Sequence, residues 1–197
     1  MIVYCATSNA GKLREFRKAA ELAGCEVEVV PGIQEIPVPE ETGSTFEANA
    51  ILKAEYYGAL VRGYLFSDDS GLEVDALCGA PGVHSARYSG GAGDAANNAL
   101  LLKNLEGVQN RSASFVCVIA LVKDGQLVKT FRGTVEGHIA EDESGEHGFG
   151  YDPLFYYPPF ECTFGEADLN RKAGVSHRAN ALRLMFEFLA HSSSIGT

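Results

Sequence analysis

Four short segments concentrate side chains that could act on an anionic ligand. Thr7-Ser8-Asn9-Ala10-Gly11-Lys12 places hydroxyl, amide and ammonium donors between an apolar run and the start of a helical pattern. Free N–H groups and the dipole of a helix N-terminus favour phosphate at such a place, although the GxxxxGK[ST] loop of Walker-type sites is absent. The same residues would also suit an ordinary strand-to-helix turn with a solvated lysine. A lysine in a first helical turn opposes the dipole, which favours a bound anion. Glu41 precedes a second helical pattern in which Thr45, Asn49 and Lys53 recur at i, i+4 and i+8, a polar stripe that faces either a site or water. Asp68 and Asp69 follow directly on a short buried strand. Carboxylates at the end of a strand suit Mg²⁺, which takes one or two of them and completes its shell with water and phosphate oxygens. The alternative is a turn whose aspartates cap backbone N–H groups. Neighbours on an extended chain point to opposite sides, so only one of the two need be catalytic.

The fourth segment is His177-Arg178 after Ser176, preceded by Lys172. Three potential cations at the start of a helix oppose its dipole, so either a ligand rich in acceptors or a basic surface patch accounts for them. Phe149 beside Gly150 could stack a base or pack in the core.

Simple elements must carry these residues. Ile2–Thr7 reads as a strand and Lys12–Gly24 as an amphipathic helix with Leu13, Phe16, Ala20 and Ala23 on one face. Val27–Val30 reads as a second strand. A capping box, Ser44 with Glu47, opens a helix whose Phe46, Ala50, Ala54, Tyr57 and Val61 share a face up to Gly63. Tyr64–Ser67 reads as a strand ending at Asp68-Asp69-Ser70-Gly71, and the glycine-rich stretch 78–93 as irregular backbone before a helix from Asp94 to Leu105. Ser114–Val122 and Gln126–Ile139 flank an Asp-Gly turn and predict a long hairpin. After the polar loop 141–148 and a short aromatic strand comes a final helix capped by Ser176, with Ala179, Leu182, Phe186 and Leu189 inward and a frayed tail from Ser192 to Thr197. The class is α/β with a mixed central β-sheet flanked by helices, since a hairpin adds antiparallel strands to those joined by helical crossovers.

At 197 residues and 46% hydrophobic, the chain predicts one domain over 1–197. A net charge of −10 argues against a nucleic-acid partner, because nonspecific binding needs a basic surface. Five scattered cysteines without a CxxC pair predict reduced, mostly buried thiols in a cytoplasmic protein. No signal peptide and no membrane-spanning run is expected.

TSNAGKLREF, EETGSTFEANAILKA, SDDSGLEVDALCGAPGVHSARYSG, HGFGYDPLF and KAGVSHRANAL, five motifs in order over nearly the whole chain, resemble the inosine triphosphate pyrophosphatase family, the non-canonical purine (XTP/dITP) diphosphatases of the ITPase-like (Maf/Ham1-type) fold. Ser8 stands where many members have glycine, and Ala48 where many have glutamate. The resemblance implies hydrolysis of ITP, dITP or XTP to the monophosphate and pyrophosphate. It implies that Ser8, Asn9, Lys12 and Lys53, in and beyond the Thr7 loop, hold the triphosphate, with Lys172 a further contact. By the same resemblance Glu41 and Asp69 would hold Mg²⁺, or alternatively Mn²⁺; Asp69 would also be the catalytic base, Lys53 would be catalytic through the charge it meets, and Ser70 would touch substrate. Phe149, Gly150, Tyr151, Asp152, His177 and Arg178 would form the base pocket, and Asp68 would be a supporting carboxylate. A homodimer with a contact near Pro81–Tyr88 is also implied. The alternatives are a non-catalytic nucleotide sensor on the same fold and a Maf-like pyrimidine nucleotide diphosphatase. An aspartyl-nucleophile phosphatase lacks its DxD spacing here.

Overall fold

The computed structural model of the chain describes residues 2–194. The chain begins with β1 (Ile2–Cys5), α1 (Ala10–Leu22), β2 (Glu26–Val29), α2 (Phe46–Gly58) and β3 (Tyr64–Val74). It continues through α3 (Asp94–Asn104), β4 (Ser112–Lys123) and β5 (Gln126–Ile139), then β6 (Phe155–Tyr157), β7 (Cys162–Thr163), α4 (Leu169–Ala173) and α5 (His177–Ser194). The strands form one sheet in the order β2-β1-β3-β4-β5-β6-β7. β1 pairs parallel with β2 and β3, whereas β6 pairs antiparallel with β5 and β7, so the sheet is mixed as expected. Asp124 (φ 50°) and Gly125 (φ 80°) make the two-residue turn that joins β4 to β5.

Several boundaries differ from the sequence reading. β3 does not stop at Ser67 but runs on through Asp68, Asp69, Ser70 and Gly71 to Val74. Paired aspartates before Ser-Gly imitate a turn locally, but partners elsewhere in the chain meet their charges and the backbone stays extended. α2 is capped by Thr45, not Ser44: the Thr45 hydroxyl accepts from the Ala48 amide at 3.1 Å. Glu47 is thereby displaced from the reciprocal position of a capping box and instead accepts from the Thr130 hydroxyl at 2.5 Å. α2 ends at Gly58, short of Val61. The glycine-rich stretch contains a 3-10 turn at Gly82–Arg87. Ser192–Ser194 continue α5, and residues 195–197 of the expected tail lie outside the described residues.

By packing, the chain divides into two compact units, residues 1–69, 117–133 and 177–197 and residues 70–116 and 134–176. In the first, Val3, Phe16, Phe66, Ile119, Leu121, Leu182 and Met185 belong to one apolar cluster, and Phe16 meets Phe66 edge-on at 5.3 Å. Burying each such aromatic contributes about 1.5–3 kcal/mol. The second unit has its own cluster, including Leu72, Leu101, Val135, Leu154, Phe155 and Phe164. Of the five cysteines, Cys5 and Cys117 are buried, Cys25 and Cys162 half-buried, and Cys78 exposed, so fewer are buried than expected. Among the described residues no helix is long and apolar enough to cross a membrane.

Gly133 of β5 lets the start of α5 lie against the strand. A Cβ there would collide with the His177 carbonyl and the Ala181 amide. Gly133→Ala is expected to destabilise the protein by about 1–3 kcal/mol through overpacking. Thermal unfolding would read this as a drop of several degrees, and an unchanged midpoint would refute the close approach.

Candidate active site

In the first unit, the chain leaves β1 into a loop that its own side chains hold. The Thr7 hydroxyl accepts from the Asn9 amide at 3.2 Å, and Asn9 caps α1 by accepting from the Lys12 amide at 3.0 Å. Ser8 and Asn9 are exposed at a helix start with no acidic residue in its first turn, which leaves the positive end of the dipole uncompensated. The Lys12 side chain is not simply solvated: its Nζ lies 2.8 Å from Asp68 Oδ2.

β3 sends its alternate residues to opposite faces. Phe66 and Asp68 meet Phe16 and Lys12 of α1. Asp69 meets α2, where Asn49 Nδ2 donates to Asp69 Oδ2 at 3.0 Å and Lys53 Nζ lies 3.4 Å from Asp69 Oδ1. Lys53 also reaches Glu41 Oε1 at 2.5 Å. Asn49 accepts from the Gly43 amide at 2.8 Å, which fixes the segment carrying Glu41. Gly43 is required there, because a Cβ would run into Asn49. Of the polar stripe, Asn49 and Lys53 therefore face the carboxylates, whereas Thr45 is exposed and caps α2.

Charge and burial set the two aspartates apart. Burial pushes the Asp68 carboxyl up, but Lys12, Lys53 and Arg178 together hold it below the ordinary value. Asp69 goes the other way: burial raises it, Lys53 lowers it, and Glu41 raises it again, leaving it above the ordinary carboxylate value. Burial works against the charge on Lys53, yet Asp68, Asp69 and Glu41 keep its ammonium more basic than usual. Glu41 and Asp69 thus share one ammonium and still repel. Two hard-oxygen donors with surplus negative charge fit a divalent cation. Among the described residues no cluster of three or more His, Cys, Asp or Glu side chains could hold a metal, so waters and ligand oxygens would complete such a shell.

At the start of α5, His177 and Arg178 are buried. Arg178 Nη1 donates to Glu15 Oε2 at 2.9 Å, and both side chains are buried. Burial disfavours the guanidinium charge, but Glu15 and Asp68 more than offset this. Sequence reasoning missed Glu15, although a glutamate beside Phe16 on the inward face of α1 was the available signal. It also grouped Lys172 with His177 and Arg178. Lys172 instead belongs to α4, which ends at Gly174, and to the second unit.

There, Lys172 Nζ lies 2.6 Å from Asp152 Oδ2, with both side chains almost wholly buried, and 5.4 Å from the centre of the Phe149 ring. Asp152 also accepts from the Phe149 amide at 2.9 Å, closing a tight turn. Gly148 gives the carboxylate its room. Tyr151 turns inward and its hydroxyl donates to the Ser85 carbonyl at 2.7 Å, while burial pushes its pKa up and keeps it neutral. Gly150 presents backbone only, and Ser70 is half-buried within β3.

A family model described as the Ham1 family matches residues 3–188. The chain is 46% identical over 195 residues to a dITP/XTP pyrophosphatase of Acidobacterium capsulatum, covering 94% of this chain and 96% of that one. It is 49% identical over 184 residues to a protein of the same description from an Exiguobacterium species, covering 93% and 94%. Among solved structures, the Staphylococcus aureus Ham1 protein superposes with a TM-score of 0.85 at 42% identity, covering 98% of this chain and all of that one. A HAM1 protein from Coxiella burnetii gives 0.84 at 39%, covering 97% and 99%.

Removing Lys12 strands a buried carboxylate. Lys12→Met is expected to cost roughly 3 kcal/mol at pH 7. Asp68 sits below its unfolded value of about 3.9, so its contribution is complete above that pH and fades as pH falls through the folded value. The deficit should therefore shrink in urea denaturation at low pH, and a deficit independent of pH would overturn the pairing.

Proposed function

The chain belongs to the Ham1 family, and on that premise we propose that it hydrolyses non-canonical purine nucleoside triphosphates, dITP and XTP among them, to the monophosphate and pyrophosphate. The observation that carries the reading is the pair of carboxylates, Glu41 and Asp69, held by one buried lysine beside a helix start rich in donors. Glu41 and Asp69 are the residues that would hold Mg²⁺, with Mn²⁺ the alternative. Such an ion draws charge off phosphate oxygens and makes a bound water more acidic.

The chain's own groups do the rest. Asp69, whose carboxyl is held above its ordinary pKa, takes a proton from the attacking water. The water oxygen bonds to the α-phosphorus as the bond to the bridging oxygen of the β-phosphate breaks, and pyrophosphate leaves with the electron pair. Lys12 and Lys53 meet the charge that gathers on the departing group, and Ser8 and Asn9 donate to phosphate oxygens. In the second unit, the Phe149 ring beside Lys172 and Asp152 is suited to a purine ring. Arg178 only donates, so it suits a 6-keto purine and rejects the 6-amino group of adenine, which would set donor against donor. We assign the protein to the cytoplasm and, following the resemblance, to a homodimer of twice the 21.0 kDa chain mass, which light scattering would test.

With Mg²⁺, ITP, dITP and XTP should yield pyrophosphate and the monophosphate, with ATP, GTP and dTTP nearly untouched and chelator stopping the reaction. Arg178→Ala should lose much of the ITP-over-ATP preference. Release of orthophosphate would place attack at the γ-phosphorus, preferred turnover of dTTP would indicate a pyrimidine enzyme, and no turnover at all would leave a nucleotide sensor.

Asp69→Asn separates function from stability. Turnover should fall on the order of a hundredfold or more. Because the folded state disfavours ionised Asp69, metal-free Asp69→Asn should melt above the parent near neutral pH, the gain vanishing once acid protonates the parent's carboxyl. Near-normal activity in this variant would remove Asp69 from the mechanism.

A further inference from the structure

One residue of the Phe149–Asp152 turn is gripped on both of its backbone polar groups by a single helix. The Gly150 amide donates to Asp94 Oδ2 at 2.8 Å, and the Gly150 carbonyl accepts from Asn98 Nδ2 at 3.2 Å. Asp94 and Asn98 are four residues apart on α3, hence on one face of it. Gly150 has φ 64°, with open space where a Cβ would stand, so backbone conformation and not crowding calls for glycine. The next residue is anchored separately through Tyr151 and Ser85, whose carbonyl also takes a bond from Asn97 Nδ2 at 3.4 Å.

Asn98 is the informative member. Its side chain is 3% exposed, and its Oδ1 has no hydrogen-bond partner among the described residues. An amide buried with an unmatched acceptor is a worse filler than a leucine of similar size, so packing does not account for it. Turning the amide over would aim its oxygen at the Gly150 carbonyl and forfeit its bond to the turn. Its donor nitrogen is what the position requires.

We propose that Asp94 and Asn98 are positioning residues that fix the two peptide planes meeting at the Gly150 α-carbon and, through the plane shared with Phe149, the Phe149 ring, and so set affinity for the purine base. The base-affinity half of this rests on the function proposed above. Neither residue touches the reacting atoms, so the effect falls on KM and not on kcat.

The test compares Asp94→Ala, Asp94→Asn and Asn98→Leu by ITP kinetics and by NMR hydrogen exchange at the Gly150 amide. Asp94 is exposed, so its variants keep the fold even if the buried Asn98→Leu does not. Asp94→Ala should raise KM about two- to tenfold, the loss of one hydrogen bond, with kcat within about twofold. Gly150 exchange should quicken by a similar factor, and Asp94→Asn, which keeps an oxygen acceptor, should restore both readouts. Unchanged KM and exchange in folded Asp94→Ala would overturn the clamp. Faster exchange with unchanged KM would overturn its link to the base, and raised KM with unchanged exchange would overturn the route through Gly150. A parent protein inert toward ITP would sink the functional reading and the base-affinity half with it, while exchange still decides whether the turn is clamped.

Discussion

Two adjacent carboxylates on a buried strand are the constraint around which the first unit is arranged. Neither Asp68 nor Asp69 could stay ionised in an apolar interior without a cation beside it. Because strand geometry sends them to opposite faces, a single lysine cannot serve both at contact distance. One helix must bring Lys12 to one face and another must bring Lys53 to the other. The crossovers that make β1, β2 and β3 parallel provide both helices, and the same arrangement leaves one carboxylate settled and the other unsettled. The asymmetry gives the pair its chemistry: Asp68 holds a lysine in place, and Asp69 retains an appetite for a proton or a cation.

The second unit solves a related problem differently. Lys172 and Asp152 neutralise each other in near-complete burial, so that position carries little net charge to offer a ligand. A buried pair of this kind contributes less to stability than to defining one arrangement. Here it ties α4 to the turn bearing Phe149, while α3 ties the same turn from its own face. A short loop that would otherwise sample many conformers is held in one.

Local pattern was enough to read the elements whose signals are local. The Asp-Gly turn of the hairpin, the inward Phe16 and Ala20 of α1, the inward Phe46, Ala50, Ala54 and Tyr57 of α2 and the opposite directions of Asp68 and Asp69 all follow from spacing, and the structure has them, while Ala23 is exposed just past the end of α1. What could not be read locally was decided by distant partners. The strand runs past Ser67 because Lys12 and Lys53 meet its aspartates. Thr45 displaces Ser44 as cap, with Glu47 bound to Thr130 more than eighty residues away. Lys172 parts company with His177 because Gly174 ends one helix before the next begins. Asn98 carries no local signal, Glu15 only that of a glutamate beside Phe16 and Asp94 only that of a helix start, since each matters through a contact that the fold supplies.

The cysteines lend the first unit a property of another kind. Cys5 and Cys117 are sealed in its core, and burial together with Asp68 pushes the Cys117 thiol far above its ordinary pKa. Cys78, on the surface of the second unit, is exposed. A thiol reagent added to the folded chain therefore encounters a graded set of targets, with Cys78 open at once and Cys5 and Cys117 protected by both enclosure and protonation. Capture of those two sulfurs can proceed only when the first unit opens, so the delay between the first labelled site and the last becomes a clock for how often the core around Asp68 comes apart.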